Sequence, residues 1–397
     1  MFYERRLSSP TSKSGPNEPR AVLRSWVEVD LGAIQRNLAA LKSLCAPGVK
    51  FMAVVKANAY GHGAVEVVRA LAGRVEVFGV ANVEEADAIA AHARGTPICL
   101  LSATLPAEQA RVVTKGYIPA VSSFEEAALY AAHAGDTRVR IHLVVDTGMG
   151  RLGVWEGEAI ETARRIFALP GIEITGIASH LPVANEDSAF TAAQFSRFHS
   201  LAGRLRSLGP RDALVHVENS AGLIEFPALA GDLARPGLAL YGESPLPSFQ
   251  QRLERALTWK TRVLLVRSFG AGRGVSYGRT FITPRPMQVA TLATGYADGY
   301  PRHISGRGAA VLIGGKRCPV LGRVTMDQLM VDVTSLDVEP GAEAVLLGAQ
   351  GEERITATEL ASLARTIAWD IFTGIGPRVA RLHANSQPPP PVGGDGM

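Results

Sequence analysis

The chain has 397 residues, 47% hydrophobic and 20% charged, enough to bury a sizeable core in two or three domains and too apolar for disorder throughout. Forty-one Lys and Arg against 37 Asp and Glu leave a net charge of +4, spread too thinly for a nucleic-acid reader, and aromatics at 6% exclude a base-stacking platform. No uninterrupted apolar run approaches the roughly 18 residues of a membrane helix, so neither nucleic acid nor membrane is an expected partner.

Residues 1–24, rich in Ser, Pro and Arg with no apolar stretch behind the charges, read as a flexible leader and not as a secretory signal. Short β-branched apolar runs follow at Val49–Ala57, Val75–Asn82, Pro97–Ser102, Ile118–Ser123, Arg138–Thr147, Ile172–His180, Leu214–Asn219 and Gly231–Arg235. Helical patterns alternate with them at Ala64–Ala72, Val83–His92, Phe124–His133, Gly157–Leu169 and Asp187–Leu208. Near-continuous apolar strands alternating with helices predict a parallel sheet covered on both faces. Eight such units over residues 25–255 fit a (β/α)8 TIM-type barrel better than an open doubly wound sheet. Lys56, Asn82, Ser102, Ser123, Asp146, His180 and Asn219 all fall at the carboxyl ends of the predicted strands, the face where barrels collect functional groups.

Near Arg252–Leu257 the rhythm changes. Residues 256–386 read as a β-rich C-terminal domain, with strands at Trp259–Phe269, Pro286–Thr294, Ala309–Ile313, Lys316–Gly322, Leu329–Val333 and Ala344–Leu347. One helix is predicted over Thr358–Ala368, capped by Thr356 or Thr358. Residues 387–397, with four consecutive prolines, read as a disordered tail. The cysteines Cys45, Cys99 and Cys318 form no pair or metal-binding spacing, which predicts reduced thiols, a cytoplasmic setting and no metal site.

Lys56 ends an apolar strand, where partial desolvation lowers an amine's pKa and fits it for Schiff-base chemistry. A lysine snorkelling from a strand end is the plainer reading of that residue alone. The whole segment Val54-Val55-Lys56-Ala57-Asn58-Ala59-Tyr60-Gly61-His62-Gly63 resembles the pyridoxal-phosphate motif of the alanine racemase family. Similar motifs follow in the family's order: Asp146–Gly153, Asn219–Ala221, Ala234–Gly242, Val275–Thr280, Gly295–Arg302 and Gly322–Asp327. The resemblance runs from about Trp26 to Arg381.

The resemblance implies pyridoxal 5'-phosphate as cofactor and interconversion of L- and D-alanine, a source of D-alanine for peptidoglycan. Lys56 would carry the cofactor and act as one base, with Tyr277 as the second base on the opposite face, helped by a relay from His180 to Arg235. Inversion at Cα needs one proton removed from one face and another delivered to the other, which suits two such bases. Arg235 would meet the pyridine nitrogen; because a guanidinium holds its protons, that nitrogen would stay unprotonated. Tyr60, Asn219, Ser220, Gly237, Leu238 and Tyr241 would surround the phosphate, while Arg151 would hold the cofactor's phenolic oxygen and the substrate carboxylate. Met326, Asp327 and Tyr296 would reach the substrate from a second subunit, so a homodimer with shared active sites is expected.

Two positions depart from the family pattern. Val144 stands where many members have a carbamylated lysine that orients the arginine corresponding to Arg151. Pro377 stands where many have a tyrosine before an Arg-Val-Pro-Arg run, here Arg378-Val379-Ala380-Arg381. Altered cofactor retention or substrate tolerance is expected. The competing readings are a broad-specificity racemase acting on serine, lysine or arginine, a non-catalytic pyridoxal-phosphate carrier, and a fold-related decarboxylase. Tyr277 with Met326-Asp327 weighs against the carrier, and Arg235 against the decarboxylase.

Overall fold

The computed structural model describes residues 23–385. The predicted tail 387–397 and the predicted leader, apart from Leu23 and Arg24, lie outside the described residues.

Eight parallel strands form the barrel: Lys50–Val54, Val77–Val80, Ile98–Leu100, Ile118–Val121, Val139–Asp146, Ile172–Ala178, Leu214–His216 and Leu233–Ala234. Each lies inside one of the apolar runs read from the sequence. Both faces of most of these strands are buried, so their runs are largely apolar; only the starts of Val139–Asp146 and Ile172–Ala178 alternate, with Arg140 and Glu173 exposed. The last seam is short, and single backbone bonds complete it: Asp232 N–H donates to Val215 O at 2.8 Å and Arg235 N–H to Glu218 O at 3.2 Å. Met52, Val77, Cys99, Ile118 and Leu233 pack together inside the barrel as a filled layer, so the functional residues stand on a solid floor.

Several of the strand-end polar residues serve as helix caps. Asn82 Oδ1 accepts from Glu85 N–H, Ser123 Oγ from Glu126 N–H and Asn219 Oδ1 from Gly222 N–H, each at 3.0 Å. Asp146 fixes the loop that follows it, accepting three backbone N–H groups from Gly148, Met149 and Gly150.

The second domain is a nine-stranded sheet in which six strands close on themselves, Leu257–Phe269 pairing with both Met287–Leu292 and Glu343–Gln350. Three strands without a counterpart in the sequence reading extend it, Glu353–Ile355 lying antiparallel at the edge beside Glu343–Gln350. Ser25–Asp30 pairs antiparallel with Leu257–Phe269, and Ala380–Ala384 pairs parallel with Ser25–Asp30. The start of the chain is therefore stitched into the second domain before the helix Leu31–Lys42 leads to the barrel. That helix and Pro106–Lys115 are two further elements with no sequence counterpart.

The helix predicted over Thr358–Ala368 is two shorter ones. Ala357–Ala364 is capped by Thr356 and ends at Arg365 in a left-handed conformation (φ 58°), after which Ala368–Thr373 starts in a new direction. Thr358 does not cap; its hydroxyl donates to Glu243 Oε1 at 2.5 Å and ties the second domain to the barrel side. Trp259, 0% exposed and edge-on to Tyr300 with ring centroids 5.9 Å apart, packs within the second domain's core.

Candidate active site

A cavity of about 680 Å³ opens at the carboxyl ends of the barrel strands. Lys56, Tyr60, Arg151, His180, Asn219, Ser220, Arg235, Gly237 and Leu238, all expected from the sequence, line it together. Ile367, Trp369 and Thr373 of the second domain complete its rim.

Lys56 lies two residues past the first barrel strand. The four residues after it take left-handed backbone conformations, with φ of 51°, 54°, 53° and 52° at Ala57, Asn58, Ala59 and Tyr60. None is glycine, so the turn costs about 1–2 kcal/mol per residue, and it persists because its surroundings fix it. Burial lowers the pKa of the Lys56 amine, and the neighbouring Arg151 and Arg235 charges push the same way against Glu85. A larger share of the amine is therefore free and nucleophilic than in an exposed lysine.

Arg235 is 7% exposed and makes no ion pair to a carboxylate among the described residues. Its guanidinium is held by carbonyl oxygens instead: Ser179 O at 2.7 Å, His216 O at 3.0 Å and Val217 O at 3.3 Å. It also donates to His180 Nδ1 at 3.4 Å and to His216 Nδ1. Those bonds assign tautomers. His216 accepts at Nδ1, so its proton sits on Nε2 and is donated to His142 Nδ1 at 3.0 Å. His180 likewise keeps its proton on Nε2. Burial beside the Arg235 charge drives His142 and His180 down to about 3 and His216 well below its ordinary value, so all three rings are neutral near pH 7. Nothing in the sequence singled out His142 and His216, since a histidine on an apolar strand reads as a core residue.

A tight cradle lies across the cavity from these groups. Ser220 Oγ accepts Gly237 N–H at 3.0 Å and Ala239 N–H at 3.2 Å, which leaves its own proton to donate outward. A Cβ at Gly237 would come within 2.5 Å of the Tyr60 hydroxyl, so only glycine lets these groups converge. Burial pushes the Tyr60 phenol up to about 12, keeping it a hydrogen-bond donor. Tyr241 does not line the cavity. It packs behind Tyr60, with ring centroids 5.0 Å apart, and donates to Val54 O at 2.9 Å. Its contribution is to the wall that holds Tyr60.

Val144 lines the cavity near Arg151 and offers no polar atom. The hydrogen-bond donors of this cradle, two arginines (Arg151 and Arg235) and the Lys56 amine together suit an anionic, aldehyde-bearing ligand. The unfilled donor capacity at Ser220 and Tyr60 and the glycine-dependent cradle are where its phosphate would fit.

Tyr277, Tyr296, Met326 and Asp327 are not brought to this cavity. They form a separate group on the second domain. Tyr296 N–H donates to Thr325 O at 3.0 Å, and Ala297 N–H to Met326 O at 2.9 Å. A Cβ at Gly295 would strike Thr325 O and Met326 O at 2.3 Å, so this close approach requires glycine. Ser276 Oγ donates to Arg323 O at 2.5 Å and fixes the turn that carries Tyr277. Arg378, the residue after Pro377, donates to Asp298 Oδ1 at 2.6 Å and to Asp327 Oδ1 at 2.8 Å. Tyr277, Met326 and Tyr296 are nonetheless 70%, 53% and 40% exposed.

Barrel, β-domain and lysine-bearing cavity together define a class of enzyme that works on small amines through an aldehyde cofactor. Residues 29–245 match the family description "Alanine racemase, N-terminal domain" and residues 256–383 "Alanine racemase, C-terminal domain". The alanine racemase of Symbiobacterium thermophilum is 44% identical over 368 residues, covering 90% of this chain and 97% of that protein. The solved alanine racemase of Streptomyces coelicolor A3(2) superposes with a TM-score of 0.85 at 37% identity, covering 92% of this chain and 99% of that one. The solved enzyme of Bartonella henselae, with covalently bound pyridoxal phosphate, has a TM-score of 0.83 at 30% identity over 91% of this chain and 99% of that one. The chain belongs to the alanine racemase family, and racemisation of alanine is the activity that this membership assigns to it.

Proposed function

We propose that the chain racemises alanine with pyridoxal phosphate held on Lys56, using Lys56 and the Tyr277 of a second subunit as bases on opposite faces of the substrate. Pyridoxal phosphate, when bound, supplies an electron sink that makes the α-proton of an amino acid removable. Its phosphate would be received by Tyr60, Ser220 and the backbone beside Gly237, and its ring nitrogen by Arg235. A guanidinium fixed by three carbonyls has no proton to give up, so it would receive that nitrogen as a donor without protonating it.

Arg151 makes no hydrogen bond or ion pair among the described residues, and its guanidinium is free to take the substrate carboxylate as a bidentate partner. Lys56 Nζ, its pKa lowered by burial, takes or returns a proton at Cα on its own face. The phenol oxygen of Tyr277 does the same on the other. A neutral His180 whose Nε2–H is fixed by Arg235 would donate to that oxygen and stabilise its ionised form.

One observation carries this reading. The Lys56 amine lies in the cavity, while the tyrosine that would be the second base stands 70% exposed and outside it. A symmetric dimer that lays the Tyr277–Tyr296–Met326 group over the partner's cavity supplies the missing base and covers the exposed apolar surface. Three unpaired thiols, with Cys99 and Cys318 buried, agree with a cytoplasmic setting. Among the described residues no helix is long and apolar enough to cross a membrane.

Borohydride reduction of the holoenzyme followed by peptide mapping tests the attachment. The label is expected on the peptide containing Lys56 and is expected to vanish in Lys56→Ala. A Lys56→Ala chain that still takes the label would remove Lys56 from this role.

A further inference from the structure

The left-handed turn after Lys56 is anchored at both ends. At its far end the second domain holds it: His383 Nε2 donates to His62 O at 2.7 Å and Arg381 Nε to Gly61 O at 3.2 Å. A Cβ at Gly61 would lie 2.3 Å from Phe372 O, so that end has no room to move. At its near end, beside the lysine itself, the anchor is Glu85. One carboxylate oxygen accepts the N–H of Ala57 at 2.7 Å and the other the N–H of Ala81 at 2.8 Å. Glu85 sits in the first turn of the helix Val83–Ala90, so it links the first and second barrel units at the cavity mouth.

The fourth barrel unit repeats the same cap away from the residue that follows Lys56, the Glu126 carboxylate facing the backbone N–H groups of Ser122 and Thr104. Glu126 Oε2 accepts the N–H of Ser122 at 2.8 Å, and Ser123 caps the helix Phe124–His133 as Asn82 caps Val83–Ala90. The two glutamates have the same place in their units. Only Glu85 spends its second oxygen on the residue that follows Lys56.

We propose that Glu85 is a positioning residue for Lys56: by accepting the Ala57 N–H it fixes the place from which the lysine amine enters the cavity. The inference rests on Lys56 being the cofactor lysine. The Glu85 charge also opposes the cationic neighbours of Lys56, in keeping with an anion placed beside it. Glutamine keeps the size of the side chain but has one acceptor and one donor where two N–H groups must be received. Glu85→Gln therefore loses one of the two bonds and turns an amide N–H against another.

The test compares Glu85→Gln with Glu126→Gln, both as full-length holoenzymes. Three quantities are read: kcat and KM for alanine, the rate of pyridoxal phosphate loss into excess hydroxylamine, and Tm. Loss of one charge-assisted bond predicts about a tenfold fall in kcat and about a tenfold faster cofactor loss for Glu85→Gln, with KM within about twofold. Glu126→Gln is expected to lower Tm comparably and to leave the kcat and the cofactor-loss rate unchanged. Equal effects of the two substitutions on kcat and on cofactor loss would overturn the proposal, because Glu85 would then be a helix cap and nothing more. If Glu85→Gln does not fold, Glu85→Asp keeps the charge while shortening the reach to Ala57, and a wild-type rate of cofactor loss in that variant overturns it too. Peptide mapping after borohydride reduction of the wild type separates the two readings. A label away from Lys56 defeats the assignment on which the proposal rests, whereas a label on Lys56 with matched glutamine variants defeats the Glu85 role alone.

Discussion

The barrel and the second domain prepare their functional residues in opposite ways. In the barrel, Arg235 is locked by carbonyl oxygens, the Lys56 turn is clamped at both ends, and Tyr60 is packed against Tyr241. These groups are buried and fixed before any ligand arrives, the condition for electrostatic preorganisation. In the second domain, backbone bonds join the Tyr296 and Met326 segments and the Ser276 hydroxyl ties the Tyr277 turn to Arg323, yet all three residues stand in solvent. An exposed group of two tyrosines and a methionine on well-ordered turns is a surface shaped for something to cover it. On the proposed reading the barrel holds one half of a site, and the second domain supplies the complement to a partner's.

The sharpest way to break this contrast is to remove the second base. Tyr277→Phe keeps the ring and deletes the proton-carrying oxygen, so racemisation is expected to fall by about 10²–10⁴-fold. The loss should be one-sided. Exchange of the α-proton with solvent is expected to persist for the enantiomer that presents its proton to Lys56 and to be suppressed for the other. Equal loss of exchange for both would argue that Tyr277 does not act on a face of its own.

A smaller effect sharpens the barrel side. His142, His180 and His216 are buried neutral with pKa values far below the ordinary 6.5, and His62 is lowered to about 4 in the same way. As pH falls through about 6.5 the unfolded chain takes up protons that the folded chain refuses. Stability should therefore drop with falling pH between about 6.5 and 3, by up to about 1.4 kcal/mol per pH unit for each histidine. Denaturant titrations at pH 7 and pH 5 measure it. A pH-independent stability over this range would contradict a barrel core of neutral rings.

Much of the barrel was legible because its strands are apolar on both faces and their ends are punctuated by polar residues. Lys56, Arg151 and Arg235 stood out through the motifs around them. Other parts were not legible, for physical reasons. Ala380-Arg381-Leu382-His383-Ala384 has little strand character of its own and becomes a strand by pairing with Ser25–Asp30. His216 looks like any histidine on a core strand until the fold brings Arg235 to its Nδ1. Glu85 looks like an acidic residue favouring a helix start, and its bond to Ala57, 28 residues away, exists only once the first two barrel units are side by side.

The central claim is that each active site takes Lys56 from one subunit and Tyr277 from another. Mixing inactive Lys56→Ala chains with inactive Tyr277→Ala chains under conditions that exchange subunits tests it directly. In half of the randomly formed dimers one site regains both residues, so activity should return to about a quarter of the wild-type value. No recovery, with mixed dimers shown to have formed, would mean that Lys56 and Tyr277 do not meet across subunits.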